Sequence, residues 1–235
     1  MIVFLQHQGL WYTQIFSNFA LTNKLKLMYY LLSAIIGYLL GSIPTAYLFL
    51  KRKGIDITSE GSGNVGAMNS FEITNSKVTG LLVFFIDAIK GLISVYIPLL
   101  LFPVAFNYPA ISLLSAVSSH SYNPWLKFKG GRGLSTSFGG TLLIAPFIPT
   151  IWISTWLIVY LIKKNILLGN IMANTVALTM IMLFSETIIK YSFPKADSVS
   201  SLIFFSTGLL LIIFIRHTDP MMELLSQFNF IKKKD

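Results

Sequence analysis

Six uninterrupted apolar stretches, each closed by basic or glycine-rich segments, restrict this chain more than any other feature. They fall at residues 28–50, 79–102, 109–122, 134–162, 166–185 and 199–215. A helix crossing the hydrocarbon core of a bilayer needs about 20 mostly apolar residues. Inside lipid every backbone N–H and C=O must be paired within the protein, which leaves helices or closed barrels. Runs of this length without period-two alternation predict an all-α polytopic membrane protein. Only 11% of the residues are charged, against about 25% in a soluble domain.

The stretch 134–162 is too long for one ordinary span. Pro146 and Pro149 punctuate it, and proline breaks a helix unless neighbours compensate. It reads as a hairpin of two short helices, which brings the total to about seven transmembrane helices. Charge fixes the orientation, because Lys and Arg accumulate in cytoplasmic loops. With the N-terminus outside and the C-terminus cytoplasmic, thirteen of the eighteen Lys and Arg residues face the cytoplasm. The net charge of +9 is therefore a topology signal, and no nucleic-acid partner is implied. Residues 1–27 form an N-terminal extension, either an aromatic interfacial segment or sequence upstream of a start at Met28. Residues 28–225 form the membrane domain, and 226–235 a basic cytoplasmic tail. No cysteine is present, which excludes thiolate metal sites and cysteine nucleophiles. The three histidines are too dispersed for a local metal motif.

This layout puts three polar segments on one face. The first is Glu60-Gly61-Ser62-Gly63-Asn64-Val65-Gly66-Ala67-Met68-Asn69. Its glycines permit positive φ and close approach of a ligand, and its backbone N–H groups can form an anion nest where a helix begins. The second runs from His120 through Lys127, Lys129, Gly130, Gly131 and Arg132 to Gly133. Lys offers a point charge to phosphate, and Arg can hold two phosphate oxygens at once. A basic loop can equally be a membrane anchor; the Gly-Gly-Arg-Gly setting favours a phosphate site. The third is Arg216-His217, which can also simply mark the interface. His120 suits a general base or a hydrogen-bonded structural role. Asp87 and Lys90, three apart in an apolar run, form either a proton or ion pathway or a pair that positions helices. Ser62 lacks the strand and local context of a hydrolase elbow, and the His-x4-Asp spacing of many acyltransferases is absent.

In order and spacing these segments resemble the bacterial membrane glycerol-3-phosphate acyltransferases that use acyl phosphate. The resemblance covers about 28–225 and rests on Gly41-Ser42-Ile43-Pro44, the segment 61–69, Asp87 to Gly91, and the segment 126–133. It implies transfer of a fatty acyl group to the 1-hydroxyl of glycerol 3-phosphate, giving lysophosphatidic acid and phosphate. It implies no cofactor, metal or acyl-enzyme, because the donor is already activated and positioning plus charge stabilisation suffice. Its partners would be acyl phosphate, glycerol 3-phosphate, membrane lipid and the soluble enzyme that makes acyl phosphate. Its place would be the bacterial cytoplasmic (inner) membrane. In this frame Ser62, Asn69, His120 and Lys127 are the catalytic candidates. Gly61, Gly63, Asn64, Gly66, Lys129, Gly130, Gly131, Arg132 and His217 are the substrate-binding candidates. The chain departs from the family pattern at Thr58, Ser119, Glu72 and Thr218-Asp219-Pro220. Two other readings accommodate those departures: a homologue that binds lipid phosphate or a partner without turnover, and a small transporter.

Overall fold

A computed structural model describes the backbone of residues 2–218 and the side chains from residue 21 onward. All regular structure among the described residues is helical. The basic tail and Asp219-Pro220 lie outside the described residues.

Helix α1 runs from Ile2 to Gly41, and α2 from Thr45 to Lys51. The expected single span over 28–50 is therefore two helices. Pro44 has no N–H and its ring clashes with the preceding turn, so the helix stops at the Gly41-Ser42-Ile43-Pro44 segment. A broken helix survives in a membrane only where protein satisfies the freed carbonyls. Here Lys90 Nζ donates to the Ile43 carbonyl at 2.9 Å, and Asn123 Nδ2 donates to that of Ser42 at 2.8 Å. Helix α1 is also continuous across the expected boundary at residue 27. Its 40 residues span ~60 Å, about twice the hydrocarbon thickness.

After the first polar loop comes α3 (Ala67–Thr74), then α4 (Lys77–Leu101) and α5 (Asn107–Ser121). Beyond the second polar loop lie α6 (Leu134–Ile144) and α7 (Phe147–Lys163). The stretch 134–162 is divided as expected, but at Ala145-Pro146 alone. Pro149 sits in the first turn of α7, where N–H groups have no partner within the helix and proline is tolerated. Helices α8 (Ile166–Leu183), α9 (Ser185–Ile188) and α10 (Val199–Ile215) complete the helices of the described residues. By length and apolarity, the segments Leu21–Lys51, Lys77–Leu101 and Ile166–Leu183 can each cross a membrane. Helices α6, α7 and α10 are shorter apolar helices.

Glycines set the helix crossings. On α1, Gly37 lies against the Ser112 backbone and Gly41 against that of Ala116. Between α4 and α6, Gly91 meets Thr136 and Gly139 meets Ala88. A methyl group at any of the four would overlap the facing backbone. Small residues serve membrane helices in this way, because lipid supplies no hydrophobic drive between them. Hydroxyls add ties: Ser112 Oγ donates to the Ser94 carbonyl at 2.6 Å and Ser119 Oγ to that of Tyr38 at 2.8 Å. The core joins α5 (Leu113, Val117), α6 (Ile144), α8 (Ile181) and α10 (Leu209). The opposite face of α4, with Phe85, Ile89 and Leu100, is exposed and apolar.

Candidate active site

The first polar loop is held from inside by one residue. Asn69, in the first turn of α3, is 1% exposed. Its Oδ1 accepts from the Ser62 N–H at 3.0 Å. Its Nδ2 donates to the carbonyls of Asn64 at 3.0 Å and Glu60 at 3.1 Å. Both amide hydrogens are thus engaged within the loop, which Asn69 shapes. Gly61, at φ +57°, is required here: a Cβ would strike Asn69 Oδ1. Gly63 is also left-handed, at φ +66°.

The second loop is pinned at both ends of its glycine pair. The Gly131 N–H donates to the His120 carbonyl at 3.1 Å, and the Val65 N–H of the first loop donates to the Gly130 carbonyl at 3.2 Å. The His120 imidazole packs against Gly131, leaving no room for a Cβ there. His120 Nδ1 lies 3.9 Å from Asp87 Oδ1, and Asp87 pairs with Lys90 at 2.9 Å. Lys90 in turn caps the break between α1 and α2, so the Asp87–Lys90 pair positions helices.

The third segment closes the ring. Arg216 donates through Nη2 to the Gly130 carbonyl at 3.2 Å and through Nε to that of Gly131 at 3.3 Å. Its guanidinium also lies over the Tyr122 ring, 5.3 Å from the centroid. His217 is buried. Its Nδ1 donates to the Ile213 carbonyl at 2.7 Å, which leaves Nε2 to accept from Asn170 Nδ2 at 3.2 Å. Burial pushes this imidazole down to about 4; the Ile213 bond opposes the shift, while Arg132 and Arg216 reinforce it. His217 is thus neutral at physiological pH.

These segments border a cavity of about 800 Å³. Its polar end carries Asn64, Asp87, His120, Arg132, Asn170 and His217. Its apolar walls come from α4, α6, α7 and α10, with Phe84, Phe138, Trp152, Trp156 and Leu209 prominent. Asn64 lines it, and its Oδ1 is buried without a hydrogen-bond partner among the described residues. Such a space takes an amphiphile with its polar head among the loops and its tail among the helices.

Of the sequence candidates, the structure brings Asn64, Gly66, His120, Arg132 and His217 to the cavity wall. Gly130 and Gly131 stand immediately behind it. It does not bring Ser62, Gly61, Lys127 or Lys129 there: all four are exposed and none lines the cavity. Lys127 adopts a left-handed φ of +52° where the 3-10 turn Pro124–Leu126 ends. Ser62 contributes its backbone N–H to Asn69. Sequence reasoning missed Asn170, the partner of His217. An amide within an apolar run was the available signal, because buried polar groups in a membrane need partners. It also missed the role of Arg216, for which the sequence carries no signal.

An all-helical membrane-embedded protein, with a phosphate-suited polar rim opening onto a tail-sized apolar cavity, belongs to the class of integral membrane acyltransferases. Residues 31–227 match the family model described as glycerol-3-phosphate acyltransferase. The chain belongs to that family. A glycerol-3-phosphate acyltransferase 2 of Moorella thermoacetica is 37% identical over 159 residues, 66% of this chain and 79% of the relative. The glycerol-3-phosphate acyltransferase of Thermotoga petrophila is 30% identical over 198 residues, covering 82% and 91%. Two crystal structures of PlsY, an integral membrane glycerol 3-phosphate acyltransferase, superpose on 84% of the chain and 92% of their own, at 29% identity. The glycerol 3-phosphate form gives a TM-score of 0.70 and the lysophosphatidic acid form 0.68. The chain is therefore a multi-pass membrane acyltransferase of phospholipid biosynthesis.

Proposed function

We propose that the chain transfers a fatty acyl group from acyl phosphate to the 1-hydroxyl of glycerol 3-phosphate. The observation that carries this reading is the shape of the cavity, where Arg132, His120 and the loop starting α3 meet a long apolar wall. The hydroxyl oxygen attacks the acyl carbonyl carbon. A C–O ester bond forms, and the bond from that carbon to the phosphate oxygen breaks. Phosphate leaves with the electron pair and takes up the hydroxyl proton, which suits a group whose second pKa is about 6. The products are lysophosphatidic acid and inorganic phosphate.

Each residue has a part in this reading. Arg132 stabilises the charge that grows on the leaving phosphate. The free Asn64 Oδ1 accepts a hydrogen bond from a substrate hydroxyl. The neutral His217 Nε2, already satisfied by Asn170, orients its neighbour and takes no proton. Asn69, Arg216 and the Asp87–Lys90 pair are positioning residues. In this reading, seven spans with the N-terminus outside set the polar end of the cavity toward the cytoplasmic side of the inner membrane, whence a soluble acceptor and a soluble donor-making enzyme approach it.

The test is acceptor-dependent phosphate release by the purified full chain in detergent, supplied with acyl phosphate. Release only in the presence of glycerol 3-phosphate is the expected result. Release independent of any acceptor, or none from folded protein, contradicts the reading; the latter would favour a homologue that binds without turnover.

A further inference from the structure

We infer that Lys77 is the cation that captures the anionic head of the tailed substrate at the mouth of the cavity. The inference rests on the acyltransferase reading above and adds a residue to it. Among the described residues, two cations line the cavity: Arg132 and Lys77. The others nearby are engaged or displaced. Arg216 is spent on the Gly130 and Gly131 carbonyls. Lys90 is spent on Asp87 and the Ile43 carbonyl. Lys127 and Lys129 are exposed and do not line the cavity. The Lys77 ammonium is exposed and makes no hydrogen bond or ion pair with another described residue.

Position separates Lys77 from Arg132. Lys77 is the first residue of α4, and Asp87 stands ten residues further along the same helix, ~15 Å down its axis. Arg132 belongs to the level of Asp87, because its neighbour Gly131 packs on His120, which faces Asp87. A lysine side chain does not bridge three helical turns, so Lys77 serves a ligand at the rim. The wall beside it consists of Met68 and Phe71 on α3 and Leu81 on α4. Met68 and Leu81 are also exposed on the outside of the molecule, at 41% and 55%. A free cation above an apolar opening matches an amphiphile with a phosphate head. A small polyol phosphate would leave that apolar wall uncovered. Lys77 acts on loading: it draws the head in by its charge and hands it to Arg132.

The experiment compares wild type with Lys77→Gln and Lys77→Arg. Lys163→Gln, an exposed lysine at the end of α7, is the control. Lys77→Gln should raise KM for acyl phosphate about five- to tenfold at low salt, as loss of a charge-assisted contact does. It should leave kcat and the KM for glycerol 3-phosphate unchanged. The difference should shrink at high salt as screening replaces steering, and Lys77→Arg should restore the wild-type value. An unchanged KM for acyl phosphate, or a loss confined to glycerol 3-phosphate, overturns the inference. Titration of cavity tryptophan fluorescence (Trp152, Trp156) with dodecyl phosphate separates the two levels of the account. Binding weakened in Lys77→Gln by a chain that transfers nothing upholds capture and sinks the transfer reaction. Equal binding by both proteins sinks capture alone, and no binding by wild type sinks both.

Discussion

The two polar loops look alike in sequence, each rich in glycine and flanked by apolar runs, yet they build the site in opposite ways. The loop 60–69 works through its backbone. Its buried Asn69 turns inward and hydrogen-bonds Ser62, Glu60 and Asn64 of the loop itself. Asn64 lines the cavity and keeps a buried Oδ1 without a partner among the described residues. The loop 120–133 works through side chains, but only some of them. His120 and Arg132 reach the cavity, while Lys127 and Lys129 are exposed on its outer side. A run of cations in a sequence therefore gives the charge of a loop and not the address of each charge. Backbone dihedrals assign the address: a left-handed Lys127 and Phe128, at φ +52° and +61°, turn the chain before Gly130 brings it back.

Four substitutions sharpen or break this contrast. The largest effect is expected from Arg132→Gln, the cation that the second loop delivers to the cavity. Removing one charge stabiliser at a reacting centre lowers turnover on the order of 100-fold, so kcat should fall by about that much while the protein still inserts. Asn69→Ala tests the backbone role of the first loop. It strands one N–H and several carbonyls, and stability measured by unfolding in detergent should fall by about 1–3 kcal/mol, with activity falling at least tenfold.

His217 supplies a pH signature. Its folded value lies near 4, below the ordinary value of about 6.5. As pH drops through 6.5 the unfolded chain takes up a proton that the folded chain refuses, so folding stability declines between about 6.5 and 4 and levels off below. The loss between pH 7 and pH 5 is on the order of 2 kcal/mol. That increment should be missing from His217→Gln, whose stability should fall less than wild type's when unfolding is followed at both pH values. The smallest effect is expected from Lys127→Gln. An exposed, solvent-screened charge contributes little, so kcat/KM should stay within about threefold of wild type. A collapse of activity in that variant would place the reacting phosphate outside the cavity and reverse the contrast between the loops.

Much of the fold was legible because membrane physics leaves few choices. Helix α10 begins and ends where the apolar run predicts, and α4, α5 and α8 fall within two residues of their expected limits. The Pro146 break and the convergence of three polar segments were also readable. The interruption at Ser42–Pro44 was less visible: its cost is repaid by Lys90 and Asn123, which lie far away in the sequence. Within the site, residue type pointed to phosphate chemistry, but direction was hidden. Nothing local in the sequence distinguishes Arg132, which faces the cavity, from Lys129 three residues earlier. The choice depends on Arg216 fixing the Gly130 and Gly131 carbonyls from a helix more than eighty residues later. Asn170 was hidden for the same reason, since its meaning comes from His217, a partner on another helix.

The identity of the lipid product decides whether this cavity carries out acyl transfer. Wild-type protein in liposomes, given acyl phosphate and isotopically labelled glycerol 3-phosphate, should form labelled 1-acyl lysophosphatidic acid mole for mole with released phosphate, as read by mass spectrometry. Absence of that lipid from folded protein, or phosphate released without it, would contradict the assignment of acyl transfer to this cavity.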